Sequence, residues 1–344
     1  MSDRDAFSRR HRSRILLIVE GKTEKETLFR QLLYCFPEIS VREEDILVYH
    51  TNIYSLYEQI QNEYDDDWEA VDLPFLLSRS SGQDRLWARD FTDIYLIFDY
   101  ERQDPCFSEE KIQKLQSHFL DSTGNGKLYI NYPMVESYLD LNDCLLDRSY
   151  RDRSVSVSMQ RGGTYKRQFD KRVRQWGLTF VSDLKKGLAG RYSVTNDARR
   201  KACCTEILDW PQGPAEGLND ILSSCIPDEV LKKQAVYQIS AAIKKFCHTG
   251  ESYRSFLRRC FQNIIYNNLC KANRIQNGRY TAYCLQCDKE CVNAYASMDF
   301  RAILDRQNES SRDCGTGLIW VLNTCVFFVT DYNRKLLFVP YETT

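Results

Sequence analysis

Short apolar runs that end at or just before a carboxylate recur through the first half of the chain. Ile15-Leu-Leu-Ile-Val19 is followed at once by Glu20, and Asp93-Ile-Tyr-Leu-Ile-Phe98 by Asp99-Tyr-Glu101. Lys127-Leu-Tyr-Ile-Asn131 leads into Pro133-Met-Val-Glu136, and Ile46-Leu-Val-Tyr49 is a further run of this kind. Unbroken apolar runs of this length predict strands buried on both faces. Helical spacing fills the intervals: Leu28, Phe29, Leu32 and Leu33; then Ile53, Leu56, Tyr57 and Ile60; then Ile112, Leu115 and Phe119 within Ser108–Asp121. Thr23 and Glu26 fit a capping box for the first of these helices, which places Glu24 in its first turn. Strands alternating with helices predict an α/β fold, a mainly parallel sheet flanked by helices.

The carboxyl ends of such strands lie along one edge of the sheet, where open α/β sheets take their ligands. Glu20, Asp99, Glu101 and Glu136 all fall there. Asp99 and Glu101, two apart on what reads as an extended segment, face the same side. Any one of these acids has an ordinary role as a helix cap or a solvated strand end. Gathered together they repel one another and lose water, and a cation relieves both costs. All-oxygen donors favour the hard ions Mg²⁺ or Mn²⁺.

The string Ile18-Val-Glu-Gly-Lys-Thr-Glu24, followed by a strand ending Phe98-Asp-Tyr-Glu101, resembles the Toprim domain of topoisomerases, primases and overcoming-lysogenization-defect (OLD) nucleases. With Pro133-x-x-Glu136 downstream it is most similar to OLD-type and related phage-defence Toprim nucleases, including that of the PARIS system. The resemblance covers roughly residues 13–145. It implies a Toprim-like sheet and a metal-dependent endonuclease that cleaves phosphodiester bonds with one or two Mg²⁺ or Mn²⁺ ions. Glu20 matches the family glutamate that binds metal or serves as general acid/base, while Asp99 and Glu101 match the principal metal ligands. Glu24 and Glu136 match acidic positions used for a second ion, which helps activate the nucleophile and stabilise the leaving oxygen. Lys22, beside Glu20, would contact the scissile phosphate or else be a solvated loop lysine. One departure is that the family's Asp-x-Asp is Asp99-x-Glu101 here. Asp104, before Pro105, reads as a turn residue, and His50 and His118 as ordinary strand-end and helix residues.

Beyond residue 145 the alternation fades and charge becomes uneven. Arg161, Lys166, Arg167, Lys171, Arg172, Arg174, Lys185 and Lys186 belong to a basic stretch that runs to Lys201, with Tyr165, Phe169, Trp176 and Tyr192 interleaved. Cations on phosphates and aromatic rings on bases would make this a nucleic-acid surface; a solvated charged face is the plainer reading. The chain then divides into a basic tail (1–12), a Toprim-like catalytic domain (13–145), a basic region with glycine-rich loops (146–215) and a mostly helical C-terminal domain (216–344). In the last, Ala235, Val236, Ile239, Ala242, Ile243 and Phe246 form one apolar stripe, and Phe256, Leu257, Cys260, Phe261, Ile264 and Ile265 another. The short gap between them suits an antiparallel pair. Leu318–Thr330 is apolar throughout, either a buried helix or a pair of strands. Cys284, Cys287 and Cys291 supply three of the four ligands a Zn²⁺ site needs, with Cys270 or Cys314 as candidate fourths; without a second paired motif, Zn²⁺ is the less favoured reading.

The chain has 344 residues, 43% hydrophobic, which supports a sizeable core and excludes collagen-like and disordered classes. No apolar run reaches the ~20 residues of a membrane span. Fourteen cysteines without a secretion signal point to reduced thiols in a cytoplasm. No Gly-x-x-x-x-Gly-Lys-Ser/Thr loop occurs, so an ATPase partner of the phage-defence kind would be a separate polypeptide. DNA, RNA (transfer RNA included) and a homo-oligomeric state all stay open. Two alternatives stand beside the nuclease: a primase-like or topoisomerase-like Toprim protein, and a catalytically inactive nucleic-acid-binding or regulatory subunit, which Asp-x-Glu would favour.

Overall fold

The computed structural model describes residues 14–22, 24–81, 85–142, 147, 149–158, 164–278, 288–313 and 315–337. Its centre is a five-stranded sheet of β1 (Ile15–Val19), β2 (Ile46–Val48), β3 (Asp93–Asp99), β4 (Leu120–Asp121) and β5 (Gly126–Asn131), in the order β2-β1-β3-β5-β4. Every pairing is parallel except β4 with β5. β1 lies between β2 and β3 and is buried at all five positions, which is why its sequence shows no polar alternation. β4 escapes the sequence pattern because it is two exposed residues. The helix expected to run to Asp121 stops at His118, and Leu120–Asp121 turn back along β5.

After β1 the chain enters a π-helical turn (Glu24–Phe29) that continues as α1 (Arg30–Cys35), with Leu28, Phe29 and Leu32 in the core. Thr23, half of the expected capping box, lies outside the described residues. α2 (Ile53–Tyr64) is capped by the Asn52 side chain, which accepts from the Ser55 N–H; α3 (Leu73–Ser81) follows; and α4 (Glu109–His118) is capped by Ser108 in the same way. After β5, Val135–Leu139 forms a single 3₁₀ stretch.

The remainder is mostly helical: α5 (Thr164–Arg167), α6 (Asp170–Gln175), α7 (Phe180–Lys186), α8 (Asp197–Asp209), α9 (Ala215–Ser223), α10 (Glu229–Ile243), α11 (Tyr253–Asn277), α12 (Asp288–Ala296) and α13 (Phe300–Ser311). The expected pairing of α10 with α11 is only local, made by Phe246 against Tyr253 and Phe256 near the turn. The apolar stripe of α10 instead meets α9, whose Leu218 and Leu222 are fully buried, while α11 packs on α1, α8, α12 and α13. One continuous core joins these helices to the sheet.

The apolar tail is neither one helix nor a strand pair. β7 (Leu318–Trp320) pairs with β6 (Ser154–Ser156), Leu322 bridges to Tyr132, and a 3₁₀ turn (Cys325–Phe327) leads into α14 (Phe328–Tyr332). Phe328 meets Phe29 and Tyr95 edge-on, so the tail covers the sheet. Among the described residues no helix is long and apolar enough to cross a membrane.

Candidate active site

Glu20, Glu24, Asp99, Glu101 and Glu136 line one cavity of about 600 Å³ at the carboxyl edge of the parallel strands. Each arrives by a different local device. Glu20 is the first residue past β1, and its carboxylate accepts the Asp99 N–H at 3.0 Å, which ties the ends of β1 and β3 together. Glu24 folds back from the π-helical turn so that its Oε2 accepts the Gly21 N–H at 2.9 Å. A Cβ on residue 21 would lie 3.1 Å from that oxygen, a physical reason for glycine in the Glu-Gly step. Asp99 closes β3, and its Oδ1 accepts the Val135 N–H at 2.8 Å, fixing the 3₁₀ stretch that carries Glu136.

Glu101 reaches the cavity by a route the sequence did not show. β3 ends at Asp99, and Glu101 sits in a turn with φ +40°, so strand alternation does not place the two acids together. His50, also on the cavity wall, has φ +67°. Two non-glycine residues in the left-handed region on one wall are uncommon, and such backbone strain collects at functional sites. Asp104 fills two roles at once. It accepts the Cys106 N–H as a turn aspartate, and it accepts the Asn52 amide at 2.8 Å while lining the cavity.

The charge balance of the cavity is strained. Burial pushes the Glu20 carboxyl well above the usual glutamate range, and the Glu101 charge pushes it further. Burial does the same for Asp99, with Glu20 and Glu24 adding to it, and it also raises Glu24 and Glu101. Among the described residues that line the cavity, one cation answers them. Lys166 Nζ lies 2.5 Å from Glu136 Oε1. Burial of that lysine opposes its charge, but Glu136 outweighs the burial and holds the ammonium above its ordinary range. The contact is a charge pairing without hydrogen-bond alignment, so Glu136 Oε1 stays buried and unbonded.

An all-oxygen, anionic, largely buried donor set fits a hard divalent ion in its chemistry. Among the described residues, however, no three histidines, cysteines or carboxylates stand close enough together to form a ready-made ligand cage.

Lys22 is exposed and is not among the cavity-lining residues; the lysine at the site is Lys166, which sequence position alone had grouped with the basic stretch. A cue was available, since Lys166 and Glu136 are complementary, but nothing local links residues thirty apart. Among the described residues, the rest of the stretch does not line this cavity. Arg172 donates to the Leu139 carbonyl at 2.8 Å, and Lys185 meets the Tyr34 hydroxyl and ring. Arg167, Lys171, Arg174 and Lys186 are exposed, and Arg161 lies outside the described residues. The interleaved rings do not form a stacking surface. Tyr165, Phe169, Trp176 and Tyr192 are all buried, because they anchor short helices to the core. His118 packs edge-on against Trp68, away from the cavity. Cys284, Cys287 and Cys314 lie outside the described residues; Cys270 and Cys291 are buried. Comparison with protein-family models, with curated proteins and with solved structures finds no match for this chain.

Proposed function

We propose that the carboxylate cavity is the active site of a Toprim-type endonuclease that cleaves phosphodiester bonds with Mg²⁺ or Mn²⁺. The observation that carries this reading is the meeting of five acidic side chains, from segments more than a hundred residues apart in sequence, in one cavity at the sheet's carboxyl edge. Asp99, Glu101 and Glu20 would hold the principal ion, and Glu24 and Glu136 a second. Such ions activate a water nucleophile and stabilise the leaving oxygen. Glu20, with its carboxyl raised by burial, is suited to exchange a proton during the reaction. Lys166 is placed to leave Glu136 and meet a phosphate oxygen. The substrate is DNA or RNA, and an ATPase partner, where one acts, is a second polypeptide.

Asp-x-Glu in place of Asp-x-Asp supports a second reading, a nucleic-acid-binding or regulatory subunit without catalysis. Incubation of plasmid, linear DNA and transfer RNA with Mg²⁺ or Mn²⁺, comparing wild type with Glu20→Ala, separates the two. Cleavage by wild type and its loss in the variant is the expected result. Tight binding with no cleavage by either protein, repeated with any ATPase encoded alongside, would overturn the enzyme reading in favour of the subunit.

A further inference from the structure

A second cavity, about 650 Å³, opens beside α7 and the π-helical turn Gly187–Arg191 that follows it, with α10 and Phe246 on its other side. We propose that it binds a nucleotide, with the phosphates on a cationic rim and the base on an apolar floor. Arg174, Lys186, Arg191 and Lys245 line it against a single carboxylate, Asp183. Among the described residues none of the four cations makes an ion pair, whereas the exposed Arg42, Arg79, Arg306 and Arg312 do. Unpaired like charges converging on one hollow repel each other, and an anion bound there removes that cost. Arg191 is held in place by the Gln238 side-chain oxygen, which also accepts the Tyr192 hydroxyl at 2.8 Å.

The floor explains why the anion would be a nucleotide rather than phosphate alone. Phe180, Leu184, Ile239 and Phe246 form it, and the volume lies within the ~300–1,000 Å³ of small-molecule sites. Phe246 is seated by Gly177. That residue has φ +71°, and a Cβ there would lie 2.9 Å from the Phe246 ring, so only glycine lets the ring occupy this position. A planar base against such a floor with its phosphates on the rim uses both halves of the cavity. The ligand is either a free nucleotide or one unit of a strand. The proposal does not depend on the reading of the carboxylate cavity.

Isothermal titration in EDTA, where metal-dependent cleavage cannot contribute, tests it with ATP, a short oligodeoxythymidylate, and tripolyphosphate as a charge-only control. Saturable binding of ATP or of the oligonucleotide is expected, at least tenfold tighter than tripolyphosphate and at least tenfold weaker in Lys186→Glu/Lys245→Glu, a surface double variant whose melting temperature should match wild type. Tighter binding of ATP identifies a free nucleotide as the source, and tighter binding of the oligonucleotide a strand. Absence of saturable binding by both, tripolyphosphate bound as tightly, or affinity unchanged in the double variant would each overturn it.

Discussion

Asp99 combines two demands that pull apart: its carboxylate must accept the Val135 N–H, and it must stay buried among other acids. Asn in its place keeps an acceptor for that N–H and removes one repelling charge. Asp99→Asn is therefore expected to stabilise the metal-free protein by about 1–3 kcal/mol, the scale on which replacing buried charge by neutral groups acts. It should also abolish cleavage and the gain in melting temperature on adding Mg²⁺. Thermal melts with EDTA and with Mg²⁺ check this; a variant less stable than wild type in EDTA would mean the cavity is not under charge strain. Lys166 gives a converse test. As the one cation among the described residues that line the cavity, it would compete with a bound ion for Glu136, so Lys166→Gln should tighten apparent Mg²⁺ affinity by about threefold to tenfold, the ratio expected for removing one partly screened charge. Weaker Mg²⁺ binding in the variant would show the lysine to support the ion site instead.

At the scale of elements, the site is braced by contacts that cross the chain. Asn323, in the tail, donates to the Val135 carbonyl at 2.7 Å and receives its own backbone support from Asn268 of α11, while Thr324 donates to the Ile130 carbonyl of β5. The tail thus holds the turn that presents Glu136. Asn323→Ala should cost about 1–3 kcal/mol by leaving buried groups unpaired, measured by urea unfolding, and should lower cleavage without touching the cavity. Unchanged stability would remove the bracing argument. The 3₁₀ turn before β2 offers a pH test. Burial favours the neutral form of Asp45, but hydrogen bonds from Arg14 and Arg42 outweigh it and hold the carboxyl below its usual range. A lowered native value means that its stabilisation is present above the unfolded-state value near 3.8 and is lost as pH falls through the native value. Asp45→Asn should then be less stable than wild type at pH 7, with the two converging as pH falls through the native value. Curves that stay parallel into acid would contradict the pairing.

Over the whole molecule, the α/β alternation was readable because β1, β3 and β5 are buried on both faces and leave unbroken apolar runs. Their ends carry the acids, so Glu20, Asp99 and Glu136 could be nominated before any fold was known. Glu101 was named for a reason that does not hold, since a left-handed turn and not an extended strand brings it to the cavity. The aromatics interleaved in the basic stretch are a different case. Spacing of aromatics along a chain does not tell a ring that stacks on a ligand from one that anchors a short helix, and Tyr165, Phe169, Trp176 and Tyr192 are anchors.

Local order, then, determined what neighbouring residues decide among themselves: which runs are strands, which spacings are helices, and which acids stand at strand ends. Only tertiary structure decided that Lys166 meets Glu136, that α10 packs on α9, that the apolar tail braces the site, and that four cations share one hollow with Phe246. Those pairings join residues far apart in sequence. They are set by closure of one common core, and no periodicity along the chain records which distant surfaces that closure will bring together.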